Sequence, residues 1–200
     1  MLEKKMYQLL VYCALILSLS CTNSKGDITS PNGALRVQFL VEEGSPFYQI
    51  FYQNEMVLEK SELGFVMDEI DFSEDIERVD ESAVTTYTEE YTMPHGKQKS
   101  ISYHANEKRF TLQHRSGKQY EVVFRVTDDG VAFQYHIVGN GDDLHHITEE
   151  HTTYNLPDNA RAWLQPLAKV KTGYARTNPS YEEDYALDIL VGSPSRDEAG

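Results

Sequence analysis

Residues 120–138 hold the pattern that most restricts the fold of this chain, an alternation of apolar and polar side chains around one short turn. The apolar positions are Val122, Phe124 and Val126 before the turn and Val131, Phe133, Tyr135 and Ile137 after it. A period of two in β-branched and aromatic residues is typical of strands with one buried face. Asp128-Asp129-Gly130 lies between the runs, and we expect Gly130 to close a turn with a positive φ. The stretch predicts a β-hairpin with a core face and a wetter face that holds Arg125, Gln134 and His136.

The same pattern continues on both sides of this hairpin. We predict further strands over 34–41, 47–52, 56–59, 84–93, 99–105, 109–115, 147–156 and 186–191. They are short, they recur every ~8–12 residues, and Gly, Asn, Asp or Pro separates them, which is typical of an antiparallel β-sandwich. The acidic stretch 68–81 does not match the spacing of an EF-hand loop, so we interpret it as an exposed loop and an edge strand. The predicted fold class is all-β.

The charge of the chain limits its partners. The formal net charge is −14, which argues against nucleic acid, because phosphate backbones are bound by Lys and Arg. It also argues against a peripheral protein held by anionic lipid. A solvated acidic surface is the commonest reading of such a charge, and a neutral ligand or a cation site is compatible with it.

The N-terminal residues predict export. Lys4 and Lys5 precede an apolar run that is too short for an ordinary membrane span, so we interpret residues 1–20 as a signal peptide. Cys21 follows a stretch that resembles a bacterial lipoprotein cleavage box, which predicts lipidation of Cys21 and a tether over 21–27. The alternative is plain secretion with a free thiol. We therefore expect a periplasmic or outer-membrane-anchored protein that meets the membrane only through a lipid anchor.

Four short stretches match a known family in their order and spacing: Ile28-Thr29-Ser30-Pro31-Asn32-Gly33, residues 124–133, Ala162-Trp163, and Tyr181-Glu182 with Tyr185. Together they resemble the N-terminal domain of glycoside hydrolase family 97, whose members are bacterial α-glucosidases and α-galactosidases. The resemblance extends over about residues 27–200. It implies a β-supersandwich like that of galactose mutarotase, packed against a (β/α)₈ barrel that carries the catalytic carboxylates.

The resemblance also implies a role for Glu182, as the one glutamate of this domain that reaches a calcium ion held mainly by the barrel. Glu183 and Asp184 are the neighbours to test if the register differs. Because Ca²⁺ takes six to eight oxygen ligands, we expect calcium binding only together with the catalytic domain. A barrel needs ~200 residues or more, so we expect no barrel within these 200 residues. We expect residues 28–200 to be an N-terminal domain that is incomplete at its C-terminal end.

The predicted function is therefore a non-catalytic, carbohydrate-associated domain for α-glucans or α-galactosides, with a separately encoded barrel as a candidate partner. Such a domain would have a barrel-facing surface that is prone to self-association, and it would have low solubility. The alternative is a stand-alone surface lipoprotein that binds glycans or a protein, which would be a soluble monomer. An enzyme in its own right is a third hypothesis, but no pair of carboxylates with a defined separation is recognisable.

Two further sets of residues have competing interpretations. Trp163 and Tyr181 are candidates for sugar stacking, although a lone Trp in a sandwich is more often part of the core. His145, His146 and His151 lie near Glu149 and Glu150, as in some zinc sites. On one strand, however, His145 and His151 would be about 20 Å apart, so we expect ordinary polar residues.

Overall fold

The computed structural model describes residues 26–139, 144–164 and 186–194, and these residues form fourteen β-strands. The described ranges contain no helix, and accordingly none that is long and apolar enough to cross a membrane. Every strand pairing in them is antiparallel. The predicted all-β, antiparallel class is confirmed.

The first sheet follows the order of the chain. Its strands are β1 (Asp27–Thr29), β2 (Leu35–Glu42), β3 (Ser45–Tyr52) and β4 (Glu55–Glu62). Leu35, Val37 and Phe39 alternate with exposed or half-buried neighbours, so β2 buries one face as its sequence predicts. Residues 153–155 run beside β4, because the Thr153 amide donates to the Glu62 carbonyl (3.0 Å) and the Glu59 amide donates to the Asn155 carbonyl (2.7 Å).

The second sheet contains the predicted hairpin. Its strands are β7 (Ile76–Glu81), β8 (Thr85–Thr92), β9 (Ser100–His114), β10 (Gln119–Val126) and β11 (Val131–Ile137). The order is β11-β10-β9-β7, and β8 pairs with the N-terminal part of β9. β8 and that part of β9 form a two-stranded ribbon, because β10 pairs with β9 only as far as Asn106. We call this ribbon, residues 85–92 with 100–105, the arm.

β9 corrects one prediction. The segments 99–105 and 109–115 are a single strand of 15 residues rather than two strands. The polar residues between them stay in register with β10, and two of them bind β1. Asn106 donates its side-chain amide to the Thr29 carbonyl (2.8 Å), and Lys108 Nζ lies 3.4 Å from the Asp27 carbonyl. A polar run that predicts a break thus serves to join the two sheets.

Two small sheets complete the described structure. They are formed by β12 (Ile147–Glu150), β5 (Phe65–Met67) and β6 (Ile70–Asp71), and by β13 (Arg161–Leu164) with β14 (Ala186–Leu190). The predicted strand over 147–156 is only partly confirmed, since β12 ends at Glu150 and the chain then follows β4.

The core lies between the first and second sheets and is rich in aromatic side chains. Phe39 of β2 packs against Phe110 of β9 with ring centroids 4.4 Å apart, and Phe124 of β10 contacts both rings at 6.1 Å. All three are fully buried, and burial of one such side chain stabilises a fold by about 1.5–3 kcal/mol. Two antiparallel sheets that face each other across one apolar layer make this fold a β-sandwich.

The acidic stretch 68–81 is less exposed than predicted. It ends in the edge strand β7, as expected, but Phe72 and Ile76 belong to the buried core. Single apolar residues within a charged run do not give a periodic signal, and for that reason the sequence prediction missed them.

The turn of the β10–β11 hairpin also differs from its prediction. The Thr127 amide donates to the Gly130 carbonyl (2.9 Å), and Gly130 does not take a positive φ. The turn contacts another stretch of the resemblance, because the Asn32 amide donates to Asp128 Oδ1 at 2.9 Å. Gly33, which ends the Pro31-Asn32-Gly33 stretch, has a positive φ of 75°, a conformation that glycine adopts without strain. Two motifs that are 96 residues apart therefore meet in space.

Candidate functional site

Three residues are predicted to contact sugar or calcium, namely Trp163, Tyr181 and Glu182, and of these only Trp163 lies in the described part of the chain. Trp163 is on β13 and is 63% exposed, so the interpretation of Trp163 as a core residue is wrong. Leu164 and Leu187 beside it on the β13–β14 pair are also exposed. Tyr181, Glu182 and Cys21 lie outside the described residues, and the proposed roles of Trp163 and Tyr181 in sugar stacking stay predictions.

The histidines near β12 lie beside one or two carboxylates each. His145 contacts Asp68, and the His146 amide donates to the other oxygen of Asp68 (3.0 Å). These two hydrogen bonds lower the pKa of the Asp68 carboxyl. His151 Nε2 lies 4.0 Å from Asp71 and 3.9 Å from Glu149. Within the ranges that the structure describes, no three His, Cys, Asp or Glu side chains are grouped so that they could hold a metal ion.

One opening in the described structure lies beside β11, where the core is incomplete. Val131, Phe133, Tyr135 and Ile137 face the core but are only half-buried, whereas Val122, Phe124 and Val126 on the neighbouring β10 are fully buried. The second edge of β11 pairs with no other strand of the described ranges. A cleft of about 420 Å³ opens here, and we call it the β11 cleft.

Four aromatic side chains line the β11 cleft, those of Tyr48, Phe133, Tyr135 and Tyr154. Tyr48 packs against Phe133 (5.6 Å between centroids) and against the edge of Tyr154 (6.4 Å). Tyr48 donates its hydroxyl to the Thr153 carbonyl (3.1 Å), and burial raises the pKa of Tyr48, so its hydroxyl stays protonated. Tyr135 accepts the Gly64 amide (2.9 Å). Since these hydroxyls have partners within the protein, the cleft presents mainly apolar ring surface.

The cleft lacks the arrangement that hydrolysis of a glycoside requires. Cleavage needs two carboxyl groups on opposite sides of the scissile bond. Among the described residues that line the β11 cleft, Glu150 is the only one with a carboxylate. The cleft can therefore hold an apolar polypeptide segment or the apolar face of a sugar, but its described residues do not supply acid–base catalysis.

A second, polar feature lies on the opposite face of the β9–β10–β11 sheet. Glu107 accepts hydrogen bonds from Arg125 Nε (2.6 Å) and Arg109 Nη2 (3.1 Å). Arg109 also donates to Glu121 (3.2 Å), which contacts His136 at 2.7 Å. Although burial opposes ionisation, the Arg125 hydrogen bond and the two guanidinium charges lower the pKa of Glu107. The sequence prediction placed Arg125 and His136 on this face but missed Glu107, because its role depends on register between strands.

Comparison with known proteins assigns this chain to a family. Residues 28–198 match the family model described as glycosyl-hydrolase 97 N-terminal. The chain belongs to glycoside hydrolase family 97. It is 32% identical over 130 residues to a probable retaining alpha-galactosidase of Streptomyces bingchenggensis, a match that covers 64% of this chain and 20% of that protein.

Solved structures agree with this assignment. A crystal structure of a beta-arabinopyranosidase superposes with a TM-score of 0.76 at 30% identity, over 86% of this chain and 28% of the other. A family 97 enzyme (E480Q) of Pseudoalteromonas sp. strain K8 in complex with panose gives a TM-score of 0.61 at 25% identity, over 68% of this chain and 22% of the other. The chain thus spans between a fifth and three tenths of the length of these relatives.

Proposed function

We propose that this chain is a non-catalytic, carbohydrate-associated domain that docks through the β11 cleft onto the remainder of a family 97 polypeptide, including its catalytic barrel. The observation that supports this proposal most is the unfinished core at β11. A core-facing aromatic strand that stays half-buried beside a fully buried neighbour is expected where another polypeptide layer packs in the assembled protein.

The edge of β11 supports the same proposal. An exposed strand edge presents unpaired backbone N–H and C=O groups that can pair with another strand. β11 is seven residues long and has no proline or lysine, and its exposed face carries one charge-capable residue, His136. It therefore has few of the features that protect edge strands from association.

The substrate class follows from the relatives. One is named a probable retaining alpha-galactosidase, and another was solved with panose. We extend these names to an α-galactoside or α-glucan class for the assembled protein. Glu182 would supply one of the calcium ligands there; a carboxylate oxygen is the hard donor that Ca²⁺ prefers, and one glutamate does not hold the ion alone.

Export and lipidation at Cys21 complete the proposal. Metabolic labelling with a fatty-acid probe in a bacterial host should mark the natural chain and leave a Cys21→Ser variant unmarked. Equal labelling of both would refute the anchor.

Two measurements on the full chain test the function. We expect no release of nitrophenol from aryl α-glucosides or α-galactosides, and measurable turnover would refute the non-catalytic assignment. Calorimetry with maltotriose and melibiose tests the carbohydrate association, and silence with both would leave only the docking role. A stand-alone surface lipoprotein, the competing function, would be monomeric at all concentrations.

A further inference from the structure

The arm folds toward the outer face of the second sheet, which is the face opposite to the core. Arg109 opposes Val123 in the β9–β10 register, and Tyr103 lies six residues before Arg109. In a flat strand that separation would be about 20 Å. Tyr103 and Val123 nevertheless line one small pocket of about 120 Å³. β9 must therefore curve, and the outer face becomes concave.

Burial on the outer face shows the same curvature. Ala105 and Val123 point away from the core, yet both are almost fully buried. Ala105 lies opposite Tyr87 in the arm, and Arg125 lines the pocket beside Val123. The outer face thus has a small apolar floor of its own, which an ordinary solvated sheet face does not need.

The walls of this pocket combine an aromatic ring with hydrogen-bonding groups. Tyr103 packs edge-on against Tyr87 (5.9 Å, 75°), and the Arg125 guanidinium lies 3.6 Å from the centre of the Tyr87 ring. These contacts fix the positions of Tyr103 and Arg125. Gln134, exposed on β11, lines the pocket on the other side.

Two polar groups of the pocket keep free hydrogen-bonding capacity. Arg125 binds Glu107 through Nε and stacks its guanidinium on the Tyr87 ring, which leaves hydrogen-bonding capacity on its two terminal nitrogens. The side-chain amide of Gln134 has no hydrogen-bond partner in the ranges that the structure describes. A guanidinium fork and a carboxamide can together donate to and accept from adjacent hydroxyl groups.

The charges around the pocket select the ligand. Arg109 and Arg125 are matched by Glu107 and Glu121, so the network is neutral when His136 is neutral. The chain as a whole has a net charge of −14, which disfavours anions. The structure points to an uncharged ligand with an apolar face and several hydroxyl groups.

We propose that this outer pocket, formed by Tyr103, Val123, Arg125, Ala132 and Gln134, binds one neutral pyranose unit of a glycan. The apolar face of the sugar stacks on Tyr103, and its hydroxyl groups bind Arg125 and Gln134. The proposal rests on the carbohydrate association proposed above. It places the sugar across the β11 edge from Tyr48 and Tyr154, and the two pockets share Ala132, Phe133 and Gln134. Docking and glycan binding would then occur at adjacent surfaces on the two sides of β11.

The test is a titration of the isotope-labelled full chain with maltotriose, melibiose and glucuronate, followed by NMR. We expect either neutral sugar to shift amide signals near residues 103, 123–125 and 132–134. Tyr103→Ala and Arg125→Lys should each weaken binding by roughly tenfold. Tyr154→Ala, which alters the β11 cleft instead, should leave the affinity unchanged. Circular dichroism checks that each variant is folded.

The outcomes separate the two proposals. Sugar binding that survives Tyr103→Ala, or that is lost in Tyr154→Ala, overturns the outer pocket and leaves the carbohydrate association intact. If neither neutral sugar shifts any signal at millimolar concentration, both the outer pocket and the carbohydrate association are overturned. Docking through the β11 cleft is tested by a separate measurement of self-association. Preference for glucuronate over the neutral sugars overturns the assignment of an uncharged ligand.

Discussion

Tyr120 gives a quantitative test of how β10 is joined to the segment after β6. The ring is fully buried and lies edge-on to Phe65 (5.4 Å) and Phe72 (5.2 Å). Its hydroxyl donates to the Phe72 carbonyl at 3.0 Å. Burial raises the pKa of Tyr120, so the hydroxyl keeps its proton in the folded protein well above the unfolded value of about 10. This part of the stability is present below pH ~10 and is lost as the pH rises through the folded pKa.

Tyr120→Phe keeps the ring and removes only the hydrogen bond. A neutral buried bond contributes about 1 kcal/mol, and the loss grows to about 3 kcal/mol if the carbonyl finds no other partner. We therefore expect the free energy of unfolding to fall by about 1–3 kcal/mol. Tyr120→Leu also leaves a cavity and should cost about 3–5 kcal/mol.

Urea unfolding at neutral pH, followed by circular dichroism, measures both losses. Tyr154→Phe is the matched control, because that side chain is 66% exposed, and we expect a change below about 0.5 kcal/mol. The reasoning is refuted if Tyr120→Phe is as stable as the natural chain, or if it loses as much as Tyr120→Leu.

Three further substitutions test other parts of the fold. Gly64→Ala should cost more than ~2 kcal/mol in thermal unfolding, because its φ is +152° and an added Cβ would lie 2.4 Å from Ser73 Cβ. Gly117→Ala is the control and should cost about 1 kcal/mol, because its added Cβ would meet no atom within 4 Å. Equal losses in the two variants would contradict this prediction. Asp128→Ala should speed hydrogen exchange at the Asn32 amide and cost about 0.5–1.5 kcal/mol, and unchanged exchange would argue against the link. The lowered pKa of Glu107 means that its stabilisation is present above pH ~4.3 and is lost as the pH falls through the folded value. Glu107→Gln should therefore flatten the fall of the urea midpoint below pH ~4, and an unaltered acid profile would count against the network.

The sequence pattern predicts the β10–β11 hairpin because a hairpin is set by the alternation and the turn residues of one short stretch. The alternation in 120–138 sets the faces of β10 and β11, and the contact between residues 32 and 128 explains why two distant turn motifs mark one family. The same pattern cannot show how deeply β11 is buried. That depth depends on which layers cover it, so Phe133 and Val131 appear equivalent to Phe124 and Val126 in sequence but differ in exposure.

The missed features all depend on tertiary contacts. β9 appears as two strands because Asn106 and Lys108 are polar, and their partners on β1 are not visible in the sequence. Phe72 is buried against rings that are distant in the chain. The outer pocket arises from the curvature of β9, which brings Tyr103 near Val123. The alternation of apolar and polar residues predicts a strand but does not predict its curvature.

Sedimentation velocity of the full chain over a range of concentrations tests the central claim, that the β11 cleft is an apolar docking surface. Without its partner the natural chain should self-associate as the concentration rises. Tyr154→Lys, which places a charge in the cleft, should suppress this association, whereas Tyr52→Lys, on an exposed part of β3 outside the cleft, should not. A chain that stays monomeric throughout, or association that Tyr154→Lys does not alter, would contradict the account.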